Sequence, residues 1–263
     1  MKLVLAIILA LGFTGAADAK LVTKTVEYRQ DGTVLKGYLA YDDVSRAKRP
    51  GVLVVHEYWG LNDHAKKRAE QLAALGYVAL AGDMYGQGLT LSNPKDAGQH
   101  AAELRNNNPL LRARAQAALK VLAENPLVDP KKLAAIGFCF GGTTVLELAY
   151  SGADLAGVVS FHGGLPLPKP GDAKPIKTPI LVLHGADDPH VPAPEVAAFQ
   201  EAIRQAGADW QLVLLGGAVH SFTNPAAGGD KAKGAAYDAR SDKRSWRYMQ
   251  DFFKELFGAK SRD

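Results

Sequence analysis

Six short apolar runs recur along this chain, separated by stretches of helical periodicity, and that alternation leaves few folds open. Val52–His56 and Tyr77–Ala81 are short, continuously apolar runs, and Leu133–Phe138, Leu155–Phe161, Ile180–His184 and Trp210–Leu215 read as further strands. Such runs are the mark of strands buried on both faces. Between them, helical periodicity covers Asn62–Leu75, Pro94–Asn106, Pro109–Glu124, Phe140–Tyr150 and about Pro194–Gln205. A final helix is predicted over about Ala235–Phe257, with Trp246, Met249, Phe252, Phe253 and Leu256 on one apolar side. Buried strands alternating with helices predict an α/β fold, a mostly parallel central sheet flanked by helices on both faces. Upstream, Thr25–Tyr28 and Val34–Leu39 alternate about Asp31-Gly32, the signal of an N-terminal antiparallel hairpin. No repeat, low-complexity tract or linker divides residues 20–263, which read as a single domain.

Hydrophobic residues at 47% and charged residues at 22% place the chain among globular proteins. Its net charge of +4 is spread without a Lys/Arg block, so no nucleic-acid partner is expected. The first residues read differently from the rest. Met1-Lys2 precedes an apolar run from Leu3 to Phe13, and small residues end in Ala17-Asp18-Ala19. That is the pattern of a secretory signal peptide over residues 1–19, cleaved after Ala19. Its only charges are Lys2 and Asp18, so cleavage leaves the net charge unchanged. The run is too short for a permanent span. The mature chain is therefore expected to be exported, periplasmic or secreted, with no membrane partner after cleavage and a monomer by default.

One cysteine excludes an internal disulfide and any multi-cysteine metal site. That cysteine lies in Gly137-Phe138-Cys139-Phe140-Gly141-Gly142, between a predicted strand and a predicted helix. The spacing is that of a nucleophile elbow, with Cys where Ser is more usual. A strained strand-to-helix turn needs glycines on either side for close backbone approach. The new helix N-terminus supplies N–H groups and a positive dipole end that favour a thiolate. Elbow order then calls for an acid and a histidine. Two aspartates, Asp187 and Asp188, follow Ile180–His184, and Asp188 is preferred because it stands three residues after Gly185 before a Pro-containing turn. After Trp210–Leu215 comes His220, the expected base, with its second ring nitrogen held by the acid. His162 reads as structural, and His184 and His190 lack the spacing of a metal site. No metal and no organic cofactor is expected.

These segments, with Val191-Pro192 and His220-Ser221-Phe222, resemble the dienelactone hydrolase family of α/β-hydrolases. His56-Glu57-Tyr58-Trp59-Gly60, Asp83-Met84-Tyr85 and Ala236-Tyr237-Asp238 through Trp246 add to the likeness, which spans nearly all of residues 20–263. The resemblance implies an α/β-hydrolase fold and a carboxylic ester hydrolase with a small-molecule ester or lactone substrate. It implies Cys139 as nucleophile, His220 as its base and Asp188 as orienter of the histidine. Glu57 matches the family's additional carboxylate, which takes the thiol proton as substrate binds; the structural alternative is that Glu57 caps its loop. Backbone N–H groups of Tyr58 and Phe140 would form the oxyanion hole.

Two departures bear on specificity. The family clamps a substrate carboxylate with two arginines, where this chain has Gly86-Gln87 and Thr223-Asn224-Pro225. Tyr85, Gln87, Phe222 and Asn224 are therefore the candidate pocket residues, and neutral substrates are expected to be preferred. Lys231 or Lys233 could take over the missing charge. Two other classes remain in view. One is an exported binding protein that retains the scaffold without turnover. The other is a thiol redox protein, which lacks the second cysteine it would need.

Overall fold

The computed structural model describes residues 20–258, so the expected signal peptide, residues 1–19, lies outside them. The chain enters through strands β1 (Leu21–Gln30) and β2 (Thr33–Asp42), paired antiparallel. Asp31 (φ 44°) and Gly32 (φ 79°) form the two-residue turn between them. Positive φ at both positions is what matches a tight turn to the strand twist, and Asp-Gly supplies it cheaply.

Six further strands follow: β3 (Arg49–Val55), β4 (Val78–Gly82), β5 (Val128–Phe138), β6 (Gly157–Phe161), β7 (Ile180–Gly185) and β8 (Trp210–Leu215). With the hairpin they make one eight-stranded sheet in the order β1-β2-β4-β3-β5-β6-β7-β8. β2 meets β4 antiparallel, and every pairing from β4 to β8 is parallel. The expected α/β architecture with an antiparallel N-terminal hairpin is therefore the observed one.

Helices α1 (Asp63–Ala74), α2 (Pro94–Asn106), α3 (Asn108–Ala123), α4 (Phe140–Tyr150), α5 (Ala193–Gln205) and α6 (Ala239–Phe257) cover the sheet. One core joins the sheet to Ala101 and Leu104 of α2, Leu111 and Leu119 of α3, Val145 of α4 and Phe199 of α5. The opposite core joins it to Leu72 of α1 and to Met249, Phe252 and Phe253 of α6. The helix starts follow side-chain caps. Asn62, Asn93 and Asn107 accept from Ala65, Lys95 and Leu110 backbone N–H groups, each worth about 1 kcal/mol.

The last helix begins four residues later than the expected Ala235. Asp238 caps it by accepting from the Ser241 N–H, while Ala235 pairs with His220 in a short parallel bridge. Strand β5 is longer than expected, reaching back to Val128 through exposed residues that carry no apolar signal. Among the described residues, no helix is long and apolar enough to cross a membrane.

Candidate active site

Cys139 stands between β5 and α4 with φ 53° and ψ −113°. Positive φ in a residue with a side chain costs about 1–3 kcal/mol and persists only where the surroundings enforce it. Here the enforcement is visible in the glycines. A Cβ on Gly137 would lie 2.0 Å from the Gly141 carbonyl oxygen, and one on Gly141 would lie 2.2 Å from the Val55 oxygen of β3. A Cβ on Gly142 would meet the Ser160 Oγ at 2.6 Å. Strand, turn and helix can approach this closely only without side chains at those three places. The Cys139 N–H is tied to the Phe161 carbonyl (3.0 Å), and the free thiol is only 8% exposed.

Opposite Cys139 is the loop after β8. His220 is held there by its backbone, which accepts from the Ala236 N–H (3.0 Å) and donates to the Gly234 carbonyl (3.2 Å). Its Nδ1 lies 2.8 Å from Asp188 Oδ2. The other Asp188 oxygen accepts from the His190 N–H at 2.8 Å. Asp187, the competing acid, is exposed and sends its N–H to the Ala218 carbonyl. The geometry therefore selects Asp188. Burial opposes a charge on His220, but the neighbouring Cys139 sulfur and the hydrogen bond to Asp188 push its pKa up to about 10. Asp188 is buried too, which would raise its carboxyl; its hydrogen bond to His220 and that histidine's charge instead bring it below the usual range. A histidine set between a sulfur and a carboxylate is an arrangement that can activate a thiol.

Glu57, two residues beyond β3, is buried. Its carboxylate accepts from Ser221 Oγ (3.2 Å) and from Asn224 Nδ2, and His64 Nδ1 lies 3.7 Å away. Burial raises the Glu57 pKa, against the opposing effects of Asn224, the His220 charge and Ser221. The backbone N–H groups of Tyr58 and Phe140 have no protein acceptor among the described residues. Phe140 is the first residue of α4, where an N–H has no partner within the helix. Three of the five described non-glycine residues with positive φ, Cys139, His162 and Ser221, belong to this region: Cys139 and Ser221 line one cavity with His220, and the His162 ring meets that of His220.

Cys139 and His220 open onto a cavity of about 1160 Å³ whose walls include Trp59, Leu91, Leu165 and Val191. Of the four expected pocket residues, Asn224 lines it and the other three do not. Tyr85 sits behind the wall, its hydroxyl donating to the Tyr58 carbonyl (2.9 Å). Gln87 is exposed on the far side of its loop, where its N–H bonds the Val34 carbonyl of β2. Phe222 is wholly buried and packs with Ala218 and Leu215. An alternating loop can send consecutive residues to opposite sides, which motif position alone does not reveal. Lys231 is tied back to Asp238 and the Gly217 carbonyl, whereas Lys233 reaches the cavity.

Sequence reasoning missed Arg105, at the end of α2. Its guanidinium lies 5.7 Å from the centre of the Phe140 ring and lines the cavity. Nothing in the linear pattern joins that helix end to the elbow. Among the other histidines, His162 Nε2 bonds Thr223 Oγ1 (2.7 Å), and its ring meets that of His220 edge-on. His184 Nε2 bonds the Val191 carbonyl, and His190 faces the cavity beside His220.

Comparison with known proteins points one way. The model of the dienelactone hydrolase family matches residues 35–257. Protein usf of Aquifex pyrophilus is 31% identical over 234 residues, covering 88% of this chain and 97% of its own. A protein of Aquifex aeolicus, named provisionally as a carboxymethylenebutenolidase, is 30% identical over 233 residues, covering 87% of this chain and 96% of its own. Among solved structures, a dienelactone hydrolase-like promiscuous phosphotriesterase from metagenomic libraries superposes with a TM-score of 0.86. It is 46% identical, with 90% of this chain and 99% of that one covered.

Proposed function

Because the chain belongs to the dienelactone hydrolase family, whose members hydrolyse ester and lactone bonds, we propose that it cleaves a small ester or lactone through Cys139. The observation that carries this reading is the pairing of His220 Nδ1 with Asp188, 2.8 Å apart. With Nδ1 engaged, Nε2 is the nitrogen left to serve the sulfur. The Cys139 thiolate attacks the carbonyl carbon, and the oxyanion takes hydrogen bonds from the Tyr58 and Phe140 N–H groups. His220 gives its Nε2 proton to the departing alkoxide, leaving an acyl-thioester on Cys139. Water, deprotonated by His220, then attacks the thioester carbonyl, and the acid leaves as the thiolate is restored. Glu57 serves as the proton reservoir for the thiol, a role supported by its burial and by its place beside His220.

Neutral substrates fit the cavity better than anions. Its apolar walls suit an alkyl or aryl ester, and Asn224 stands where the family's clamp would hold an arginine. Arg105 and Lys233 are exposed to solvent, and the Glu195 carboxylate shares the same space. Water screens cations in that position. A buried charge-assisted contact that is missing costs at least about 1.5 kcal/mol. We therefore expect kcat/KM for p-nitrophenyl acetate to exceed that for dienelactone by about tenfold or more. A large preference for the anionic lactone would overturn this part of the reading.

A second substrate class is favoured by the width of the cavity and by the phosphotriesterase description of the metagenomic relative. In a phosphotriester the same thiolate would attack phosphorus and expel the aryloxide. Water would then release the phosphodiester and restore the thiolate.

We also infer that residues 1–19 direct export and are removed after Ala19, and that the mature chain works as a monomer. In support, β1 starts at Leu21, and the Lys20 backbone nitrogen lies 2.9 Å from Asp43 Oδ1. A new terminal ammonium at Lys20 would gain an ion pair there. The mass of the exported protein is expected to correspond to a chain beginning at Lys20; a mass that includes Met1 would refute the cleavage.

A further inference from the structure

The Glu57–Tyr58 peptide is gripped from more directions than a loop of this kind requires. Its carbonyl oxygen accepts from His56 Nδ1 at 2.5 Å and from the Gly60 N–H at 3.2 Å, so both lone pairs are used. The next carbonyl, that of Tyr58, accepts from the Tyr85 hydroxyl at 2.9 Å. A peptide unit is planar and trans, so its N–H points opposite to its carbonyl. Fixing the Glu57 carbonyl therefore fixes the direction of the Tyr58 N–H, one of the two donors assigned to the oxyanion.

The ring of His56 is itself set on both edges. The Met84 N–H donates to Nε2 (3.3 Å), so Nε2 is the acceptor and Nδ1 carries the proton given to Glu57. His56 is fully buried between the rings of Tyr85, whose centroid is 4.9 Å away, and Phe140, at 5.9 Å. Phe140 is the residue that supplies the second oxyanion donor. Burial brings the His56 pKa down to about 4, which keeps this neutral tautomer through the working range.

Behind the ring, Asp83 fixes the segment that holds it. One Asp83 oxygen accepts from the Tyr85 (3.0 Å) and Gly86 (2.8 Å) N–H groups, the other from Lys36 (2.9 Å) and Gly88 (2.7 Å).

We propose that His56 and Tyr85 are positioning residues that aim the Tyr58 N–H at the developing oxyanion, acting through the two carbonyls of the Glu57–Tyr58–Trp59 segment. The proposal rests on the thiol-hydrolase reading above and adds two side chains that never touch the substrate. A 1 Å error in an oxyanion donor costs up to about 100-fold in turnover, and its complete loss costs about 100- to 1000-fold.

The test uses Tyr85→Phe, His56→Leu and His56→Asn, with p-nitrophenyl acetate turnover and Cys139 alkylation by iodoacetamide measured on each protein. Alkylation needs the thiolate but forms no oxyanion, so it reads the nucleophile alone. Tyr85→Phe, which removes only a hydroxyl, is expected to lower kcat about tenfold with KM and the alkylation rate unchanged. His56→Leu is expected to lower kcat about 100-fold in the same way. His56→Asn, whose amide N–H can replace the Nδ1 donor, is expected to recover most of that loss. Unchanged kcat in Tyr85→Phe, or a parallel fall in turnover and alkylation, overturns the positioning role while the hydrolase reading stands. A parent protein that alkylates but turns over no ester sinks the hydrolase reading, and the positioning role with it.

Discussion

Replacing Cys139 with alanine is expected to lower kcat/KM for p-nitrophenyl acetate by about 10,000-fold or more, with the fold retained. The loss follows from chemistry, since no other group at the elbow can form the acyl intermediate. A residue of about 1000-fold over water is the usual remainder from oxyanion donors and binding alone. The fold should tolerate the change. Alanine removes one sulfur, and the strained backbone at φ 53° is imposed by the packing of Gly137, Gly141 and Gly142 rather than by the side chain. Turnover and the thermal midpoint measured on the same preparation separate the two effects. Parent-level turnover by a folded Cys139→Ala protein would remove Cys139 from the reaction.

Asp188→Asn is expected to cost about 1000- to 10,000-fold in kcat, and to move the pH profile as well. Asparagine keeps the shape of the side chain but loses the negative charge and one of the two acceptor oxygens, so that a single oxygen is left for His220 Nδ1 and the His190 N–H. In the parent, His220 keeps its proton up to about pH 10. The imidazolium that protonates the departing alkoxide is thus lost as pH rises through that value, giving a descending alkaline limb. Without Asp188 one of the groups that raise the His220 pKa is gone, so the limb should move to lower pH. The same sign governs stability: the folded value lies above the ordinary 6.5, so the contribution is full below about pH 6.5 and lost as pH rises through about 10. A limb that stays in place in the variant would show that Asp188 does not govern the histidine.

Much of this was legible from pattern because the constraints are local or periodic. The buried runs from Val52 to His184 could be little other than inner strands, and the glycines around Cys139 declare a close approach; Trp210–Leu215, in contrast, is the half-exposed edge strand of the sheet. Chain order after the elbow pointed to Asp188 and His220. Strand order is a matter of which edges meet in space, and no local signal fixed it. Nor could spacing tell which side of a loop faces the substrate. Gln87 and Phe222 stand near motif residues, yet one turns to the hairpin and the other into the core. Arg105 was invisible for the opposite reason, because it reaches the site from a helix far away in sequence. The start of α6 differs from the expected one because Ala235–Tyr237 continue the apolar pattern while the backbone of Ala235 and Ala236 serves His220 and that of Tyr237 bonds the Gly228 carbonyl.

The meeting of Gly141 with the end of β3 has a meaning for how such a molecule can change. Because the α4 turn rests directly on the Val55 and His56 carbonyls, the thiol, the first backbone donor and the second are parts of one rigid block. The cavity walls at Leu165 and Ala226 belong to separate loops hung from that block. The loop that carries Leu165 can be lengthened, recharged or exchanged without touching the acid or the base, whereas the loop that carries Ala226 also holds Glu57 through Asn224 and His220 through Gly234 and Ala236. Choice of substrate is then free to drift on one side of the rim and bound to the chemistry on the other.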